Sequence, residues 1–185
     1  MYINKYWGKY IGNTNDTLNL VAFLENHQKE ELSLSDIFAE TGLDKQNWDF
    51  HQTVEHLEFA CPNGRVIDFH FAISLITDLA AILLECNINA SVVLHDLDVY
   101  NTSFRRICIT ATSEEYDALN RALADFAKSP LSYDLHTLMD DEQIEKMAGL
   151  VEALRKELYE SAARNRITLD GYIVAPCRAE SNPKA

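Results

Sequence analysis

The sequence is poor in the residues that build reactive loops. Its 185 residues include only six glycines, four prolines and four cysteines. It contains no Gly-x-Ser-x-Gly elbow, no cysteine beside a glycine-rich turn and no Gly-x-x-x-x-Gly-Lys phosphate cradle, so no signature of nucleophilic or phosphate-binding chemistry is present. No glycine/serine linker divides the chain and no segment repeats, which favours one domain. Cys61, Cys86, Cys108 and Cys177 form no Cys-x-x-Cys pair, and Cys86 and Cys108 fall in apolar periodic segments where a thiol simply packs, so reduced cysteines are expected. Long hydrophobic runs are missing as well. Residues 1–10 lack a charged region followed by an apolar one, and the apolar stretch 69–86 is broken by His70, Ser74, Thr77, Asp78 and Glu85. Neither a signal peptide nor a membrane span is expected, and a cytoplasmic protein follows.

Positive charge is the other scarcity. Lysine and arginine number 16 against 29 acids, a formal charge of −13. Residues 1–100 hold 15 acids and 5 bases, residues 101–185 hold 14 and 11, so the negative potential is mostly N-terminal. Such a field repels nucleic acid and speeds encounter with a basic protein, which is the partner that charge alone favours. With 47% hydrophobic residues the chain has material for a real core.

The periodicities predict an α+β fold. Thr14, Asn15 and Asp16 offer N-caps to a helix carrying Leu18, Val21, Ala22 and Leu24 to about Lys29. Ser33 caps a shorter helix through Ile37 and Phe38, with Asp36 three residues on and Gly42 as its left-handed stop. Between 54 and 71 the period becomes two, and Cys61-Pro62-Asn63-Gly64 reads as a three-residue hairpin loop. That loop length opposes Phe59 to Ile67 and Leu57 to Phe69 on an apolar face, and gathers Glu58 with Asp68 and His56 with His70 on the other. Residues 70–86 read as a core helix, 88–94 and 104–110 as an antiparallel strand pair joined by a polar link, 112–129 as a helix opened by the capping box Thr112 to Glu115, and about 140–163 as a last helix. Residues 167–174 could form a strand. The expected domain is 1–175, an antiparallel sheet packed with several helices, followed by a frayed tail at 176–185.

Two constellations carry chemistry. His56, Glu58, Asp68 and His70 would supply imidazoles and carboxylates on one hairpin face, the donor types of a zinc or iron site. A wet polar face of an antiparallel sheet has the same composition and needs no metal. His95-Asp96-Leu97-Asp98 ends the third strand as solvated turn residues or partner contacts. Tyr2, Tyr6, Trp7 and Tyr10 are expected to pack against the helices, and His27, His51 and His136 to lie at the surface. No cofactor and no metal site is expected.

The run Tyr6-Trp7-Gly8-Lys9-Tyr10-Ile11-Gly12 is followed by Asp16-Thr17-Leu18, Gln28-Lys29-Glu30-Glu31, Leu34-Ser35-Asp36-Ile37-Phe38 and Thr41-Gly42-Leu43-Asp44-Lys45. Together with 76–86 and Ala122-Leu123-Ala124-Asp125-Phe126, these stretches resemble immunity proteins of contact-dependent growth inhibition systems, over roughly residues 1–135. The branch in question neutralises a metal-dependent DNase toxin domain. The resemblance implies a non-enzymatic cytoplasmic α+β protein that accepts a toxin β-hairpin into its sheet. Strands 88–94 and 104–110 are the expected receivers, and Glu58, Asp68, Asp96 and Asp98 the anionic contacts. The alternatives are a metal-dependent enzyme using the His/carboxylate patch, and a homo-oligomeric scaffold.

Overall fold

The computed structural model describes residues 1–27, 29–53, 57–164 and 172–173. Its axis is the helix foreseen at 70–86. Leu75, Leu79, Leu83 and Cys86 repeat at helical spacing with apolar residues between them, so the helix has no natural wet face. It runs Ala72–Asn89 (here α3), and each of residues 72–87 is buried. Its length and mean hydropathy of 1.4 match a membrane-crossing segment, yet 89% of that window lies inside the fold. The helix extends past the predicted strand start at 88 and stops where Ala90 turns left-handed at φ 65°. Ile88 and Asn89 are therefore helical, not extended.

The helix α1 (Asn15–Asn26) begins at Thr14, whose hydroxyl accepts from the Thr17 amide while Thr17 returns the bond. It ends before Lys29. Strand β1 (Glu31–Ser33) follows, then α2 (Leu34–Thr41), capped by the Ser33 hydroxyl and stopped at Gly42 with φ 80°. The hairpin β2 (Glu58–Ala60) and β3 (Val66–Asp68) has the anticipated register, with Phe59 opposite Ile67 and Glu58 opposite Asp68. Cys61 N–H donates to Arg65 O at 2.7 Å, Gly64 sits at φ 82°, and the Phe69 amide donates to Leu57 O, so the loop is Pro62-Asn63-Gly64. Leu57, Ile67 and Phe69 are buried, and Phe59 packs edge-on against Phe23 of α1.

The second sheet is mixed rather than antiparallel. Strand β5 (Arg106–Thr112) lies at its centre, antiparallel to the two-residue β4 (Val92–Val93) and to β6 (Tyr172–Ile173), and parallel to β1. The β1 pairing was not legible because three residues show no period of their own; they are extended because β5 offers them a ladder. Between β4 and β6 one gap is left on β5, and the buried Cys86 thiol of α3 fills it. Its sulfur accepts from Ile109 N–H at 3.3 Å and its S–H points at Ile107 O at 3.8 Å. Burial pushes this thiol up to about 12, so it stays a neutral donor and acceptor. A Cys86→Ala chain should lose roughly 1–3 kcal/mol in a urea titration through the orphaned Ile109 amide, with Cys86→Ser recovering part of it. An Ala variant as stable as Cys86→Ser would remove the thiol from this role.

Beyond β5 come α5 (Ser113–Lys128), opened by the Thr112/Glu115 capping box as anticipated, and α6 (Asp141–Arg164). Both pack on α3, tied to it where Asn87 accepts from the Tyr116 hydroxyl and donates to Ser161. The expectation of reduced cysteines holds at Cys61 and Cys86, which are free and buried, and fails at Cys108, which is disulfide-bonded. Distance along the chain carries no information about thiols that folding brings together. Most of the predicted strand 167–174, the tail 176–185 and His56 also lie outside the described residues.

Candidate functional site

Long-range carboxylates fasten the N-terminal segment to the core helix. Asp78 of α3 accepts from Gly12 N–H at 2.8 Å and from the Thr17 hydroxyl at 2.6 Å, and Glu85, two turns on, accepts from Ile3 N–H at 3.0 Å. Asp16 returns the favour at the start of α3, which has no local cap: its two oxygens take the amides of His70 and Phe71. Thr53 takes the Ala72 amide. The aromatic cluster behaves as expected, with Tyr6 buried and Tyr2, Lys5 and Tyr6 all reaching Glu157 of α6.

This frame displays the four predicted acids. Glu58 and Asp68 stand directly opposite each other on the exposed face of the hairpin. Because the Cys61/Arg65 and Leu57/Phe69 pairs carry the ladder bonds, Glu58/Asp68 is a non-hydrogen-bonded pair, the geometry that brings side chains closest. Two like charges there oppose folding slightly, and neither has an ion-pair partner among the described residues. The Asn19 amide holds Asp68 only by its backbone carbonyl, at 2.6 Å. His70 does not join them as a metal ligand. Its Nδ1 lies 3.1 Å from Asp16, and no group of three or more His, Cys, Asp or Glu among the described residues is placed to hold a metal ion.

Asp96 and Asp98 belong to a different surface. The link after β4 opens with a helical turn, α4 (Leu94–Leu97), in place of the expected extension, and then an exposed loop to β5. Asp96 is exposed, while Asp98 accepts from the Tyr100 amide at 2.9 Å in an Asx turn. The loop is tightly held from below. Trp7 donates its indole N–H to Leu97 O at 2.9 Å, His95 Nδ1 lies 2.6 Å from Asn101 O, and the Asn101 amide reaches Glu25. The Arg105 guanidinium fans under the C-terminus of α1, donating to the carbonyls of Glu25, His27 and Lys29. Above this clasp Val99, Tyr100 and Phe104 are 72%, 89% and 74% exposed, although a strand had been expected to start at Phe104. Sequence reasoning missed them, since an apolar residue in a loop carries no sign of which way it faces. Both pairs of acids are thus carried beside α1, the hairpin packing on its middle and the loop on its C-terminal end.

A further site was missed at His51, expected to be a plain surface group. A cleft of about 440 Å³ opens between residues 47–51 and α5, lined by Trp48, Asp49, His51, Arg121, Asp125 and Tyr133 among others. His51 Nδ1 lies 2.8 Å from Asp49, Nε2 lies 3.1 Å from Asp125, and the ring stacks on Tyr133. The His51 contact holds the Asp49 carboxyl below the usual carboxylate range. Each ring nitrogen already faces a carboxylate on opposite sides, so the arrangement clamps the segment to α5 and leaves no nitrogen for a metal or a substrate. His27, also expected at the surface, is largely buried and tied to Glu40 of α2.

Comparison with known proteins gives a family for the chain. A family model described as Immunity protein 68 matches residues 2–158. No curated protein and no solved structure matches the chain. A match over that length takes in the hairpin, the 95–105 loop and most of α6, and an immunity protein is one that neutralises a cognate toxin. The chain belongs to the Immunity protein 68 family.

Proposed function

We propose that the toxin this protein neutralises is a basic nuclease domain of a contact-dependent growth inhibition system, a metal-dependent DNase, met in the cytoplasm and captured without any catalytic step. The observation that carries this reading is the Glu58/Asp68 pair. A chain of formal charge −13 keeps two carboxylates, without an ion-pair partner among the described residues, face to face on an exposed hairpin, against local stability, and a cationic partner removes that repulsion on binding. In a reducing cytoplasm the Cys108 disulfide is an exception to the usual rule.

Strand addition remains the proposed mode, but of the two expected receivers the central strand drops out. The centre of the sheet, β5, has β1 on one side and β4, β6 and the Cys86 thiol on the other, so a toxin strand has no ladder to join there. The outer edges of β1, β2 and β4 have no strand partner among the described residues, so β4 of the expected pair stays a candidate, and β2 is the edge next to the acid pair.

The test is co-purification with the toxin domain encoded immediately upstream, with DNA cleavage by that domain measured in its presence and absence. Tight binding with loss of cleavage is expected. Asp68→Lys should weaken binding at least tenfold and flatten its salt dependence. The same change should stabilise the free protein by roughly 0.2–1 kcal/mol, because it converts a like-charge pair into an opposite one. Unchanged affinity and salt slope in Asp68→Lys would take the hairpin out of the interface.

A further inference from the structure

The loop between α4 and β5 combines features that a monomer has no reason to keep together. Val99, Tyr100 and Phe104 are apolar side chains in water, and a connecting loop normally spends such positions on polar residues. The backbone beneath them is the opposite of loose. The Asx turn at Asp98, the His95–Asn101 contact, the Trp7 anchor on Leu97 O and the three-carbonyl Arg105 clasp all hold it in one shape. His95 also packs its ring against Phe104 at 4.8 Å, fixing that side chain's direction without hiding it. A pre-ordered aromatic knob loses little conformational entropy on docking, which is how a few side chains come to carry most of an interface's affinity.

We infer that Val99, Tyr100 and Phe104 are the anchoring contacts for the toxin domain, seated in an apolar recess of that protein whose rim is basic. This rests on the toxin-neutralising reading above and names the surface that serves it. The rim chemistry follows from the charges around the loop. Asp96, Asp98 and Glu25 surround the apolar residues, and the one cation built into the loop, Arg105, is spent on the α1 carbonyls. A basic rim pairs with these acids while the aromatic groups are desolvated at the centre, the arrangement of a polar ring around an apolar core. The hairpin acids and this loop both flank α1, so one partner lying along that helix reaches both.

The experiment measures affinity for the upstream-encoded toxin domain by calorimetry, using wild type, Tyr100→Ala and the double variant Tyr100→Ala/Phe104→Ala. Tyr100→Ala should weaken binding at least tenfold and the double variant at least a hundredfold, with thermal midpoints within about two degrees of wild type, since surface truncations scarcely move stability. If the double variant fails to fold, the single variant decides, because Tyr100 is 89% exposed and its truncation removes little from the core. Affinities within threefold of wild type would overturn the inference while leaving the toxin reading intact. Wild type that does not bind the toxin at all would overturn both. Sedimentation supplies the remaining arm: a wild-type dimer that becomes monomeric in Tyr100→Ala would mean that a second copy covers the loop, and would overturn the inference as well.

Discussion

A Gly12→Ala chain should unfold roughly 10 °C below wild type. Gly12 has φ +73°, and a Cβ built on it would lie 2.1 Å from the Trp7 ring. Two costs add. The left-handed backbone costs an alanine about 1–2 kcal/mol. Relieving the overlap moves the indole, which forfeits its hydrogen bond to Leu97 O and its packing on the core, for about 2–3 kcal/mol more. At about 2–4 °C per kcal/mol for a chain of this size, the sum is near that shift. Gly8 provides the control. Its φ is +91°, but nothing lies within 4 Å of its would-be Cβ, so Gly8→Ala should show the backbone cost alone. Thermal melts of the two variants check the argument: equal losses would mean that the Trp7 contact is irrelevant. Because Trp7 also anchors the 95–105 loop, Gly12→Ala should weaken toxin binding beyond what its loss of stability explains.

The pH dependence of stability should be dominated between pH 4 and 7 by Asp78. Full burial pushes this carboxyl up to about 7, against the partial relief of its bonds from Thr17 and Gly12 and with the neighbouring Asp16 adding to the rise. An unfolded aspartate titrates near 3.9. The folded state therefore holds the proton more tightly. The resulting stability is fully present below about pH 4, falls by about 1.4 kcal/mol per pH unit as the pH rises, and is gone above about 7. Carboxyls held low act in a separate window. Glu152, brought down to about 2 chiefly by its Arg155 bond, contributes stability that is lost only on going below about pH 4.5. Asp78→Asn should remove the decline between pH 5 and 7, whatever its absolute stability after losing the Thr17 bond. Urea midpoints of both proteins at half-unit intervals supply the comparison, and parallel curves would reassign the decline to other groups.

The parts of the candidate site that were legible are the parts set by local spacing. Glu58 and Asp68 could be paired from the sequence because a Pro-Asn-Gly loop admits one register in which Leu57, Phe59, Ile67 and Phe69 share a face. Asp96 and Asp98 could be placed on a polar link, but not on a helical turn, since four residues of helix leave no periodicity to read. The partner of His70 was not legible for another reason. Its partner, Asp16, is 54 residues away, and nothing in the hairpin announces that a carboxylate from α1 caps the helix that follows.

The sequence alone determined the helix starts at Ser33 and Thr112, a start within residues 14–16, the hairpin register and the identity of the core helix. Each depends on groups within a few residues of one another, so the chemistry that decides it is contained in the local text. Tertiary structure alone decided the parallel seat of β1 on β5, the Cys86 plug, the carboxylate tethers from α3 and the His51 clamp. It alone decided that Val99, Tyr100 and Phe104 face outward. An apolar side chain reads the same whether it will be covered or displayed. Only the closed fold, with the Arg105 clasp holding the loop on the end of α1 and away from the core, leaves these three exposed.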